Sequence, residues 1–100
     1  MNLRGKQVLN MTLKKEWFDL IKSGEKKEEY REIKEYWLSR LLNENDEVIK
    51  FDYVVFTNGY AANSPKIVVE YKGLKCATGK KKWGGSDQKC IVIKLGKVVG

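Results

Sequence analysis

Three side chains of complementary charge, Lys26, Glu29 and Arg31, lie close together in the stretch Gly24-Glu25-Lys26-Lys27-Glu28-Glu29-Tyr30-Arg31. A lysine in a partly dry cleft loses its proton more readily and then works as a base. A neighbouring carboxylate acts the other way, because it stabilises the ammonium; tightly paired with Glu29, Lys26 is a fixed positive charge rather than a base. Arg31 brings a planar fork that meets a phosphate or carboxylate with two parallel hydrogen bonds, a geometry closed to lysine. It is equally suited to pairing with Glu29 or Glu32. The bland reading of the same residues is a surface salt-bridge cluster, worth well under about 1 kcal/mol per pair.

Two later stretches carry further chemistry. Thr57-Asn58-Gly59-Tyr60 supplies a hydroxyl, an amide, an open backbone and a ring, parts that read a nucleobase edge and stack on its face. It is also an ordinary Asn-Gly turn with Tyr60 packed beside it. Lys80, Lys81, Lys82 and Trp83 interleave charge with an aromatic ring, as single-stranded nucleic-acid sites do. A solvated loop with Trp83 tucked against the fold is the alternative. Glu70, opposite Ile67, Val69 and Tyr71 in an alternating run, points either to solvent or into a pocket.

Composition narrows the field. There is no histidine and there are two cysteines, Cys76 and Cys90, so a Cys/His zinc site and a Ser-His or Cys-His nucleophile are both excluded. No metal or cofactor is expected. The cysteines flank the same basic loop; they are read as free thiols, with a disulfide across the loop as the alternative. The net charge is +7, and it lies wholly in the second half, where Glu70 and Asp87 are the only acids after residue 52. Such a one-sided field suits a polyanion such as RNA, although lysine is also the common solubilising residue. No apolar run is long enough to span a membrane and no hydrophobic leader opens the chain, so a cytoplasmic protein, expected to be monomeric, is inferred.

The elements that position these residues follow from periodicity. With 100 residues, 42% hydrophobic and 33% charged, residues 1–100 are read as one folded domain. Gln7 to Leu13 alternates as a half-buried strand, and Lys14 to Ser23 switches to helical spacing with Trp17, Leu20 and Ile21 on one stripe. Trp17 is accordingly assigned to the core. Ser23-Gly24 ends the helix, since glycine takes the left-handed conformation past the last turn. Lys26 to Glu32 is read as a strand that sets Glu29 and Arg31 on one face and Lys26 on the other. Helix resumes near Ile33. Val48 to Thr57 is the longest β signal, followed by strands over Ile67 to Tyr71 and Cys90 to Leu95, with residues 75–89 as a loop. Loops rather than helices separate the last three strands, so an α+β fold is predicted: a mixed or antiparallel sheet curled into a small β-barrel of about five or six strands, with two flanking helices.

The run Leu20-Ile21-Lys22-Ser23-Gly24-Glu25-Lys26-Lys27-Glu28-Glu29-Tyr30-Arg31 resembles the signature of the ASCH domain, a family of the PUA-like β-barrel superfamily. Its pattern G-x-K-x-x-E-x-R is met at Gly24, Lys26, Glu29 and Arg31. The resemblance implies a PUA-like barrel with a cleft beside the motif that binds RNA or a modified nucleoside. It also implies an alternative: hydrolases of the family remove an acyl group from modified cytidine, using a lysine, a threonine three residues later and a distant glutamate. Lys26 matches the lysine, Glu29 stands where the threonine would be, and Glu70 is the candidate for the glutamate. A ribonuclease is the weakest carry-over. As an enzyme, the chain would use Lys26, Glu29 and Glu70; as a binding module, it would use Lys26, Glu29, Arg31, the Asn58–Tyr60 loop and the Lys80–Trp83 segment.

Overall fold

Alternating and helical apolar patterns succeed one another along the chain, and each builds one element of the computed structural model, which describes residues 1–100. Strand β1 (Val8–Leu13) turns Leu9, Met11 and Leu13 inward. Helix α1 (Lys15–Lys22) follows, with Glu16 in its first turn and Lys22 in its last, both favourable to the helix dipole. It buries Phe18 and Ile21, each contributing roughly 1.5–3 kcal/mol by leaving water.

The helix stops at a compact turn that delivers the chain to the charged motif. Ser23 N–H donates to Asp19 O (2.9 Å), Gly24 N–H to Ile21 O (3.0 Å) and Lys26 N–H to Leu20 O (3.0 Å). Gly24 sits at φ +86°, the left-handed region that a side chain resists. Strand β2 (Glu28–Arg31), helix α2 (Glu35–Leu41), strands β3 (Tyr53–Asn58) and β4 (Lys66–Thr78), a 3-10 turn (Lys81–Trp83) and strand β5 (Lys89–Val98) complete the chain. Neither helix is long and apolar enough to cross a membrane.

The five strands form one sheet in the order β1-β3-β4-β5-β2, so the α+β architecture with two helices is as expected. Only β1 and β3 run parallel; the other neighbours are antiparallel. Phe18, Ile21 and Leu41 from the helices pack on Leu9, Phe56, Val69 and Ile93 of the sheet to make one core. The sheet curls into a half-barrel whose edges, β1 and β2, come together at an open seam. There the Arg31 side chain of β2 donates to the Thr12 carbonyl of β1 at 3.2 Å.

Several boundaries differ from expectation for local reasons. The strand expected from Val48 begins only at Tyr53. Asn43 Oδ1 accepts from the N–H groups of Asn45 and Glu47, winding this segment into a turn, and Val48 is left with an isolated bridge to Leu42. Lys72-Gly73 bends β4 without ending it: register shifts on either side of Tyr71 absorb the bend, and residues 75–78 continue the strand rather than open the loop. Ile33 precedes α2 and is exposed, not part of its stripe. Cys76 lies opposite Ile91 and Cys90 opposite Ala77, so the thiols sit one register step apart, on opposite faces, and both are free.

Replacing Gly24 by alanine should lower stability by about 1–2 kcal/mol in urea denaturation, and by asparagine less, because asparagine tolerates the left-handed region. Equal stability of the alanine variant would show that the turn relaxes to another conformation.

Candidate functional site

Lys26 follows the α1 turn and precedes β2, so its side chain is free of the strand's alternation. It folds inward rather than to the face opposite Glu29 and is 1% exposed. Its ammonium donates to Glu29 Oε1 at 2.8 Å and to the Trp83 carbonyl at 2.6 Å. The rings of Trp17 and Tyr30 lie against it, 4.6 and 5.3 Å from Nζ to centroid. Glu29, itself 3% exposed, pairs through its other oxygen with Arg31 Nη1. Arg31 also donates to the carbonyls of Tyr30 (2.8 Å) and Thr12 (3.2 Å), and its guanidinium lies over Trp37 at 5.0 Å. The motif is therefore a buried chain of charge, Lys26–Glu29–Arg31, and not a solvated surface cluster.

The segment from Gly79 to Gly85 is fastened to this chain. Tyr30 Oη donates to Glu28 Oε1 (2.8 Å) and accepts the Lys80 N–H (2.9 Å). Burial is the main cause that pushes the Tyr30 phenol up to about 12, against a smaller opposing effect of the Lys80 N–H. Gly84, at φ +94°, brings its backbone so near Trp17 that a Cβ there would stand 3.1 Å from the ring. That close approach lets the preceding carbonyl, of Trp83, reach Lys26.

Beside the chain, at the β1–β2 seam, opens a cleft of about 540 Å³. Glu29, Arg31, Asn58, Gly59 and Tyr60 line it, as do Thr12, Leu13, Lys14 and Trp17. Tyr60 is 94% exposed at its rim, not packed. The motif and the Asn58–Tyr60 loop, far apart in sequence, thus meet because β3 pairs with β1 and ends level with it, Leu13 opposite Asn58.

Other sequence candidates lie elsewhere. Lys26 stands behind Glu29 and does not line the cleft. Glu70 is on β4, where Oε1 accepts the Lys97 N–H at 2.9 Å and approaches Lys72 Nζ at 3.9 Å; the Lys97 N–H holds its carboxyl below the usual range. It belongs to a separate β4–β5 contact. Lys80, Lys81 and Lys82 are exposed and do not line the cleft. Lys80 and Lys82 lie against the ring of Trp83, which is buried, so Trp83 offers its carbonyl to the site and not a stacking face. Trp17, assigned to the core from its helical stripe, is instead half-buried outside the core cluster, where it walls the cleft and lies against Lys26. Its helical spacing gave no sign of that role. Thr12 was legible only as an outward-facing residue of the first strand.

Chemically, the arrangement is a frame of fixed charge. Each Glu29 oxygen already accepts from a cation, and two of the three N–H groups of the Lys26 ammonium are engaged by a carboxylate and a carbonyl. No group of three or more His, Cys, Asp or Glu side chains is placed to hold a metal ion. The chain matches no protein-family model, no curated protein and no solved structure.

Lys26→Met should cost about 3–5 kcal/mol of unfolding free energy, because it leaves the Glu29 charge buried with one partner fewer. A loss below about 1 kcal/mol would mean that the pair is hydrated in solution. The raised Tyr30 pKa predicts a pH effect. The folded state holds the phenolic proton more tightly, so this contribution is intact below the ordinary pKa of 10.0 and is lost as pH rises through about 12. Over that window wild type should lose stability faster than Tyr30→Phe; parallel curves would contradict it.

Proposed function

We propose that this chain is an ASCH domain of the PUA-like superfamily and that its seam cleft receives one base of single-stranded RNA or a modified nucleoside. The observation that carries the reading is the meeting of the motif pair Glu29 and Arg31 with the Asn58–Tyr60 loop around one cleft. Trp17 and Tyr60 supply aromatic faces, and stacking on such faces is the general means of holding an unpaired base. Asn58 and Thr12 offer the hydrogen bonds that read its edge, and Arg31 supplies positive charge at the floor. Lys14 at the cleft, and the lysines of the second half, meet the phosphates. The reading carries with it a cytoplasmic monomer that works without a cofactor.

The hydrolase alternative needs a carboxylate to activate water and a lysine facing the substrate. Glu29 is tied to two cations, Lys26 lies behind it, and Glu70 is occupied at the β4–β5 contact. Binding is therefore the function we assign.

Single-stranded RNA should bind with a log-log salt slope of about −0.7 for each phosphate neutralised. Tyr60→Ala, which removes an exposed ring and should leave the urea midpoint unchanged, should weaken binding by about 1–3 kcal/mol. Glu70→Gln should bind as wild type does. A flat salt response, or an unchanged affinity in Tyr60→Ala, would overturn the reading.

A further inference from the structure

A second concavity, of about 390 Å³, adjoins the cleft and shares Thr12, Arg31 and Tyr60 with it. Its remaining wall comes from Asn10 and Met11 of β1 and from Tyr36, Trp37 and Arg40 of α2. Resting on the reading of the first cleft as a base site, we propose that this concavity is a phosphate subsite, in which Arg40 and Arg31 hold the phosphate ester attached to the bound nucleoside.

Arg40 has no carboxylate partner among the ion pairs of the molecule. Its guanidinium lies over the Tyr36 ring, 4.2 Å from the centroid, and donates to the Tyr36 hydroxyl at 2.9 Å. An arginine so supported is a positioned cation with most of its N–H groups unspent, not a solvated tether. Arg31 forms the divide between the two concavities. Glu29, Tyr30 O and Thr12 O take three of its five N–H groups, leaving two. Two planar cations that face one hollow from different elements, with unspent donors, suit the anionic oxygens of a phosphate ester. The Trp37 ring beneath Arg31 and the exposed Tyr36 ring add apolar surface for the sugar next to that phosphate. The substrate class is thereby narrowed from nucleoside to nucleotide. The phosphate is either a terminal monoester or the internucleotide diester of RNA.

Calorimetry with four probes decides between outcomes: N4-acetylcytidine, its 5′- and 3′-monophosphates, and a trinucleotide with the acetylated cytidine in the middle. Wild type should bind at least one phosphate-bearing probe about tenfold or more tighter than the nucleoside, as expected for hydrogen bonds to a charged group. Arg40→Gln should erase that advantage and leave the nucleoside affinity unchanged; Arg40→Lys should keep part of it. A gain with either monophosphate assigns the subsite to a terminal phosphate, and a gain with the trinucleotide alone assigns it to the diester. Equal affinity of all probes for wild type overturns the subsite while sparing the base cleft, as does an Arg40→Gln loss that is the same for nucleoside and nucleotide. If wild type binds single-stranded RNA but none of these probes, the subsite fails and the base cleft stands; if it binds neither, both fail. Arg40 is exposed in the last turn of α2, so Arg40→Gln should keep the wild-type urea midpoint.

Discussion

The buried ion chain Lys26–Glu29–Arg31 is the constraint from which the rest of the site follows. Taking a charge out of water costs several kcal/mol even after the protein relaxes, and the cost is recovered only with close partners on every side. Lys26 finds them in a carboxylate, a carbonyl and two rings, delivered by three parts of the chain: β2 with Glu29 and Tyr30, the 3-10 turn with Trp83, and α1 with Trp17. Each of those parts must therefore be in place for the charge to be tolerated. The ion chain does not so much add stability as penalise every arrangement in which the α1 turn, the Gly79–Gly85 segment and β2 are not docked together.

The same constraint decides what the motif does. A lysine spent on two strong acceptors and a glutamate spent on two cations are poor reagents, but they hold Arg31 at the seam without freedom to swing. The side chain that lines the cleft is then the last in the chain, the one with unspent donors. Lysine and arginine are not interchangeable in this order. The compact ammonium fits the closed end, where acceptors converge on a point. The planar fork fits the open end, where it reaches Glu29, two backbone carbonyls and the hollow at once.

Legibility in the sequence was uneven for physical reasons. Local patterns disclosed β1, α1 and the glycine stop, because burial alternates or recurs there with little interference. The motif residues were legible as a group, yet the role of Lys26 was not: alternation placed it opposite Glu29, while a turn outside the strand frees it to fold back. Trp17 lies on the apolar stripe of α1 yet walls the cleft rather than the core, and helical spacing cannot separate the two. Alternation left Glu70 open to either solvent or a pocket, and the Lys97 N–H of β5 claims it for a contact between strands. The cleft itself depends on β1 pairing with β3 far along the chain, Val8 opposite Tyr53, a contact that no local pattern encodes.

That pairing also explains why the site stands at a seam. A sheet with two free edges exposes backbone groups that invite further strands, and short edges with charged residues discourage this. Strand β2 is four residues long and carries Glu28, Glu29 and Arg31. Arg31 occupies the Thr12 carbonyl of the opposite edge with a side chain instead of a strand. Closing the barrel with a full β1–β2 ladder would satisfy both edges but abolish the cleft; leaving the seam bare would expose them. One arginine, held in place by a buried glutamate, bridges the edges at a single point and leaves the cleft open beside itself. The device that protects the edges and the device that forms the cleft are thus the same side chain.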